Sequence, residues 1–271
     1  MDQNVLAAAS FLNQKLNSST KVALVLGSGL GVFTESVSVQ QEIPYSEIPH
    51  FPMSTVEGHR GSLILAHVEK KPLVILSGRI HYYEGKTLQE VTFPMRVLKK
   101  MGIETVMLTN AAGILNPKFK PGMFMLLKDH INLIGENPLR GKNWEGWGPR
   151  FPNLSEAYDP TLRKLALKVA NQEKFLLKEG VYVALPGPSY ETPAEVNMYK
   201  KWGGYAVGMS TVPEVIVANH QGTKICAFSC LTNYAASASH KDVCHEEVLE
   251  MSKKVSKNFS RFLKKFILQL A

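Results

Sequence analysis

Cysteine is scarce, with only Cys226, Cys230 and Cys244 in a chain of 271 residues. So small and odd a set excludes a disulfide framework, and no C-x-x-C or H-E-x-x-H spacing offers a zinc site. Cys226 and Cys230 stand in the apolar run KICAFSC, where a free thiol acts as a small hydrophobe. His240 and His245 flank Cys244 but bring no fourth ligand, so no metal is expected. Also lacking is any apolar run near the about 18 residues that a membrane span needs. The opening MDQNVLAAASFLNQ has neither the cationic segment nor the apolar core of a signal peptide, and a cytoplasmic protein without a membrane partner is expected. There are no linkers, low-complexity tracts or internal repeats. Residues 1–271, 45% hydrophobic, are therefore expected to form a single domain with a well-buried core.

Acidic residues are in the minority, 23 against 31 Lys and Arg, for a formal charge of +8. A polyanionic partner is one reading of that excess. Much of it falls in the last helical stretch, MSKKVSKNFSRFLKK, where Val248, Val255, Phe259, Phe262 and Phe266 recur at steps of three, four and seven as one buried stripe. The lysines take the other face. Lys and Arg interleaved with exposed aromatics, the pattern of a nucleic-acid-binding protein, is absent, so no nucleic-acid partner is expected.

What is present alternates between short apolar runs and helical patterns. Strands are expected at KVALVL, SLILAHV, PLVILSG, TVMLT, FMLL, YVAL and KICAFSCLT, and helices over 3–16, 88–101, 159–171, 193–202, 213–221 and 245–270. This is the signature of an α/β fold, a mixed and partly parallel central sheet flanked by helices. In such sheets ligands gather beyond the carboxyl ends of the strands.

Several of those strand ends carry polar residues. ALVLGSGLG, residues 23–31, runs from a strand into a glycine-rich turn. The dinucleotide fingerprint fails because Val32 stands where its third glycine belongs, and the Gly-Lys-Ser/Thr of a nucleotide-triphosphate loop is missing. A compact turn with Ser28 suits a single small anion, or is simply a tight turn. VILSGRIHYYEG places Arg79, His81 and Tyr83 at alternate positions; the guanidinium is a planar fork suited to phosphate. VMLTNAAGILNPKFKPG follows a strand with Ala111, Ala112 and Gly113, small enough for a ligand to meet the backbone. In YVALPGPSYETPAE, Glu191 follows Tyr190 after a rigid Pro-Gly-Pro turn, and AVGMSTVPEVIVA sets Val207, Met209 and Ser210 before another helix. Finally Thr232-Asn233 leads through a Ser/Ala-rich stretch, read as a lid, to His245.

Taken in order, GSGLG, GRIHYYEG, TNAAGILNPKF, DHINL, PGPSYETPAE, GMSTVPEVIVA and HEEVL resemble the purine nucleoside phosphorylases of the trimeric type, from about residue 21 to 250. Tyr190 stands where animal members have phenylalanine, which makes the resemblance bacterial. The resemblance implies a pentosyltransferase that cleaves 6-oxopurine ribo- and deoxyribonucleosides, inosine and guanosine, with phosphate as co-substrate and no cofactor, in purine salvage. It implies that Ser28, His59, Arg79, His81, the Ala111 backbone and Ser210 hold phosphate. It puts Tyr83, Met209 and His245 around the ribose and Tyr190 on sugar or base. Glu191, Asn233 and Val207 face the purine, with Asn233, Glu191 and His81 as the catalytic set. It further implies a homotrimer in which Phe151, from WGPRFPNLSEAYD, covers the ribose of a neighbouring subunit; a dimer of trimers is left open. Tyr234 and the 235–244 stretch depart from the family pattern, so the choice among inosine, guanosine and xanthosine stays open. The nearest rival is a methylthioadenosine phosphorylase of the same fold, which carries aspartate where Asn233 stands. A nucleoside-binding protein without catalysis is another, and the full set of expected side chains argues against it.

Overall fold

The computed structural model describes residues 2–16, 19–54, 61–235 and 245–270. A mixed nine-stranded sheet runs through them: β1 (Val22–Leu26), β2 (Ser38–Pro44), β3 (Ser62–Val68), β4 (Lys71–Ser77), β5 (Thr105–Ile114), β6 (Phe124–Asn132), β7 (Leu177–Ala184), β8 (Ala206–Gly208) and β9 (Lys224–Tyr234), in spatial order β2-β3-β4-β1-β5-β8-β7-β6-β9. β9 also pairs with β5, so β5, β8, β7, β6 and β9 close into a ring while β2, β3, β4 and β1 extend from it as an open wing. Pairings of β1 with β4 and β5, of β5 with β9, and of β7 with β6 and β8 are parallel; the rest are antiparallel.

The period-two alternation of strand side chains splits the core into two layers. On β1, Ala23 and Val25 join the layer covered by α1 (Asp2–Leu16), α3 (Phe93–Lys100) and α6 (Val212–His220). Val22, Leu24 and Leu26 join the other, covered by α4 (Pro160–Gln172) and α7 (His245–Gln269). The α7 stripe is an aromatic seam: Phe262 stacks on Phe175 at 4.6 Å and meets Phe228 edge-on at 5.6 Å. Val255 is only half-buried, and Lys253, Lys254 and Lys257 are exposed. A smaller cluster around Val196 and Tyr199 seats α5 (Pro193–Lys201) against Val183 and Val207. Among the described residues no helix is long and apolar enough to cross a membrane.

Three expectations need correction. The helix expected over 88–101 is broken into α2 (Leu88–Val91) and α3 at Thr92, because Pro94 has no N–H for the carbonyl a turn earlier. β2 and β8 were not expected; β2 is a mostly exposed edge strand and β8 has only 3 residues, so neither shows an apolar run. Ala111 to Gly113, expected to follow the strand TVMLT, continue it as part of β5, because β9 pairs along its whole length.

Candidate active site

β5 is the strand at which the sheet forks. On one edge it pairs with β9; on the other, β1 accompanies Thr105 to Leu108 and β8 accompanies Gly113 and Ile114. Between those pairings the edge of residues 109–112 is open, and there lies a cavity of about 310 Å³. This is a topological switch point, where strands diverge and leave a crevice. Gly27, leaving β1, is essential to the crevice: a Cβ there would sit 2.6 Å from the Thr109 carbonyl oxygen. Its N–H donates to Thr109 Oγ1 at 3.0 Å, which fixes the turn carrying Ser28.

The floor is built around Arg79, which is 4% exposed. Its Nη1 donates to Ser210 Oγ at 3.0 Å and Thr211 Oγ1 at 3.1 Å, and its Nε lies 3.6 Å from Glu214. Neither Nε nor Nη2 has a hydrogen-bond partner among the described residues, so the guanidinium is anchored through Nη1 and keeps donors unused. Thr211 is the pivot. It also accepts from Asn110 Nδ2 at 2.9 Å, and its N–H donates to Glu214 Oε2 at 3.1 Å, as the N-cap of α6. Its φ of +71° is strained for a β-branched residue, at a cost of about 1–3 kcal/mol, and these buried bonds hold it. Burial pushes the Glu214 carboxyl up; Arg79 and the Thr211 N–H offset part of that rise.

His81 is held by Glu84, whose Oε1 lies 3.1 Å from Nδ1 and accepts the His81 backbone N–H at 2.6 Å. The ring of Tyr83 stacks on His81 at 4.7 Å. Across the cavity wall, Asn233 owes its place to a β-bulge: Ala112 pairs with Leu231 and Gly113 with Asn233, leaving Thr232 as the extra residue. Thr232 Oγ1 donates to Asn233 Oδ1 at 2.7 Å, and Asn233 Nδ2 donates to the Tyr234 carbonyl at 3.0 Å, which leaves the amide a second hydrogen. Glu191, 8% exposed, lines the same cavity just before Thr192 caps α5; burial raises its carboxyl, and Glu195 adds to the rise. Ala111 and Gly113 are two residues apart on β5, about 7 Å. Both line the cavity, and Gly113 is the residue that pairs with Asn233.

Ser28, Arg79, His81, Ala111 and Ser210 all line this cavity, as do Tyr83, Tyr190, Glu191, Val207, Met209 and Asn233. His59 and the side chain of His245 lie outside the described residues, as does most of the 235–244 stretch. Phe151 is not in the cavity of its own chain; it is 86% exposed. The expectation that its aromatic neighbours avoid solvent divides: Trp147 is 4% exposed and folds back on its own chain, while Trp144 is 38% exposed. β4 ends at Ser77, so Arg79 and His81 reach the cavity from an irregular segment and not from a continued strand. Asn110, Thr211 and Glu214 were missed. The Thr-x-x-Glu spacing of TVPE, a capping box ahead of an apolar run, was the available signal. Among the described residues no three His, Cys, Asp or Glu side chains cluster as metal ligands do.

The sequence model of the phosphorylase superfamily matches residues 21–268. Purine nucleoside phosphorylase 1 of Geobacillus stearothermophilus is 50% identical over 97% of this chain and 96% of its own length. The chain belongs to the purine nucleoside phosphorylases. Purine nucleoside phosphorylase 1 of Bacillus subtilis is 45% identical, with 99% of both chains covered. Among solved structures, a Schistosoma mansoni purine nucleoside phosphorylase in complex with adenosine superposes with a TM-score of 0.93 at 40% identity, covering 99% of this chain and 98% of that one. A Schistosoma purine nucleoside phosphorylase in complex with guanosine gives 0.91, again at 40% identity, over 99% and 97%.

Proposed function

We propose that this chain, as one phosphorylase domain, cleaves 6-oxopurine ribo- and deoxyribonucleosides with inorganic phosphate, giving free base and pentose 1-phosphate. The observation that carries this reading is Arg79: a buried guanidinium, bonded through Nη1 to Ser210 and Thr211 and paired with Glu214, with donors left over, that lines one cavity together with Ser28, His81, Ala111 and Ser210. Such a fork is complementary to a phosphate oxyanion. A phosphate oxygen attacks C1′ as the C1′–N9 bond breaks, and the bonding pair leaves with the purine. Positive charge gathers on the sugar ring beside the phosphate and negative charge on the base. The spare Asn233 amide hydrogen donates to N7 and stabilises that second charge, a contribution of about 3 kcal/mol. Glu191 as a carboxylate accepts from N1–H of hypoxanthine or guanine; adenine has no such hydrogen and loses the pairing. Tyr83, Tyr190, Met209 and Val207 form the apolar walls. The chemistry is positioning and electrostatic stabilisation, for which the reading assigns no metal or organic cofactor.

By the same reading His59 approaches the phosphate and His245 the 5′-hydroxyl, the enzyme is a cytoplasmic homotrimer, and Phe151 covers the ribose of the next subunit. Support for that last assignment is the exposure of so large a ring, 86%, on a surface segment. A panel of inosine, guanosine, xanthosine and adenosine, assayed for released base with and without phosphate, tests the function. Turnover of inosine and guanosine should require phosphate. Equal release without it would make the chain a hydrolase and remove the phosphate assignment from Arg79.

A further inference from the structure

The segment between β6 and α4, residues 133–159, contains no helix or strand. From residue 148 to 156 every side chain is at least partly exposed, and Phe151 stands at 86%. The chain is buried again at Ala157 and Tyr158. On the upstream side Trp147 is the buried residue next to it. The Trp147 ring is 4% exposed and meets two cations of α3, the Arg96 guanidinium at 4.9 Å and the Lys100 ammonium at 4.4 Å from the ring centroid. Its Nε1–H donates to Asp2 Oδ1, at the start of α1, at 2.5 Å. The next residue, Gly148, lies so close to the last residue of α6 that a Cβ would fall 1.9 Å from the His220 carbonyl oxygen. Asn143 Nδ2 then donates to the Gly148 carbonyl at 3.1 Å. A ring that merely filled the core would need none of these charges. Two cations and a carboxylate specify where Trp147 sits, and with it the point from which the exposed segment departs.

We infer that Trp147 is a positioning residue that acts in trans: it anchors the segment presenting Phe151, so its effect is felt in the active site of the neighbouring subunit. The inference rests on the trimer reading above. Only three residues lie between the anchor and Phe151, so most of the ordering is done before the ring meets a sugar. Without the anchor that ordering falls to each binding event, and the nucleoside requirement rises while the phosphate requirement does not.

The test uses the full-length enzyme in three measurements. Trp147→Leu should raise the nucleoside KM about tenfold with the phosphate KM unchanged. In the double variant Trp147→Leu/Phe151→Ala the loss should match that of Phe151→Ala alone, because one residue works through the other. Subunit mixing decides the direction of action. Each mixed trimer of Trp147→Leu and Asn233→Ala chains contains a site that takes an intact Asn233 from one chain and an intact Trp147 segment from the next, so activity at nucleoside concentrations below KM should exceed the sum of the two parents. A control mixture of Phe151→Ala with Asn233→Ala should also recover. Recovery in the control but not with Trp147→Leu would mean that Trp147 acts within its own subunit, overturning the inference and leaving the trimer reading standing. Recovery in neither, despite demonstrated subunit exchange, removes both. Wild-type kinetics for Trp147→Leu, or additive losses in the double variant, would also overturn it. If Trp147→Leu does not assemble, Trp147→Phe keeps a buried ring against both cations and loses only the bond to Asp2; the same mixing then applies, with a smaller loss to rescue.

Discussion

Glu191 is asked to be an anion in a place that disfavours anions. Burial and the nearby Glu195 both raise its carboxyl above the ordinary range. On the proposed base recognition, as pH falls through that raised value Glu191 gains a proton, accepts more weakly from N1–H of hypoxanthine and gains a donor for N1 of adenine. The ratio of adenosine to inosine kcat/KM should therefore climb on acidification, at a pH above that of an unperturbed carboxyl group. Taking the ratio cancels the titration of phosphate itself. A ratio flat from neutral pH down to the onset of unfolding would remove Glu191 from base recognition. Asn233 gives a second handle. In Asn233→Asp the Thr232 hydroxyl still has an oxygen to meet, but the group facing N7 now shares a proton with it and accepts from a 6-amino group. Adenosine should gain relative to inosine by about tenfold or more, given that a good oriented pair is worth about 1–3 kcal/mol. Equal falls for both nucleosides would show that Asn233 does not read the base. Arg79→Ala should act at the other end: the phosphate KM should rise far more than the nucleoside KM, and the reverse pattern would place Arg79 outside the phosphate pocket.

Among the elements, the turn after β1 and the seam of α7 carry opposite risks. Gly27→Ala puts a methyl group into the Thr109 carbonyl. The strand exit has to move, at a cost of about 1–3 kcal/mol, and Ser28 moves with it. Denaturant unfolding and the phosphate KM should both register the change; an alanine variant with native values in both would contradict the close approach. Phe262→Ala removes a ring stacked on Phe175 and edge-on to Phe228, and should cost about 3–5 kcal/mol of stability. What the sequence made legible divides along the same line. Central strands such as VALVL announce themselves because both faces are buried and every residue is apolar. The three-residue β8 and the exposed β2 do not, since their existence depends on partners distant in the chain. Polar residues at strand ends were readable one by one, but that Arg79 and Ser210 share a hydrogen bond across 131 positions was not. Thr211 shows the limit most clearly. A β-branched residue at positive φ contradicts local preference and is held by bonds to Asn110, Arg79, Ser210 and Glu214.

At the scale of the whole molecule the formal charge of +8 is worn on the outside, with Lys253, Lys254 and Lys257 exposed on α7 opposite the aromatic seam. Sedimentation should give a species of three subunits, and Phe151→Ala should leave that mass unchanged while kcat/KM falls about ten- to a hundredfold, because an opened site admits water. A monomer that is fully active would contradict the shared site. The β5–β9 ladder also governs how the enzyme fails when heated. Ala111 and Asn233 sit on neighbouring strands, in register except for the bulge at Thr232. Backbone amides in such a central pair open only when the sheet as a whole opens. Heat at concentrations that keep the subunits together should therefore not erode turnover gradually ahead of melting. The inactivation curve should overlay the melting curve, the amides of 105–114 and 224–234 should be the slowest to exchange with deuterium, and a sample cooled from just below its Tm should return at once to full speed.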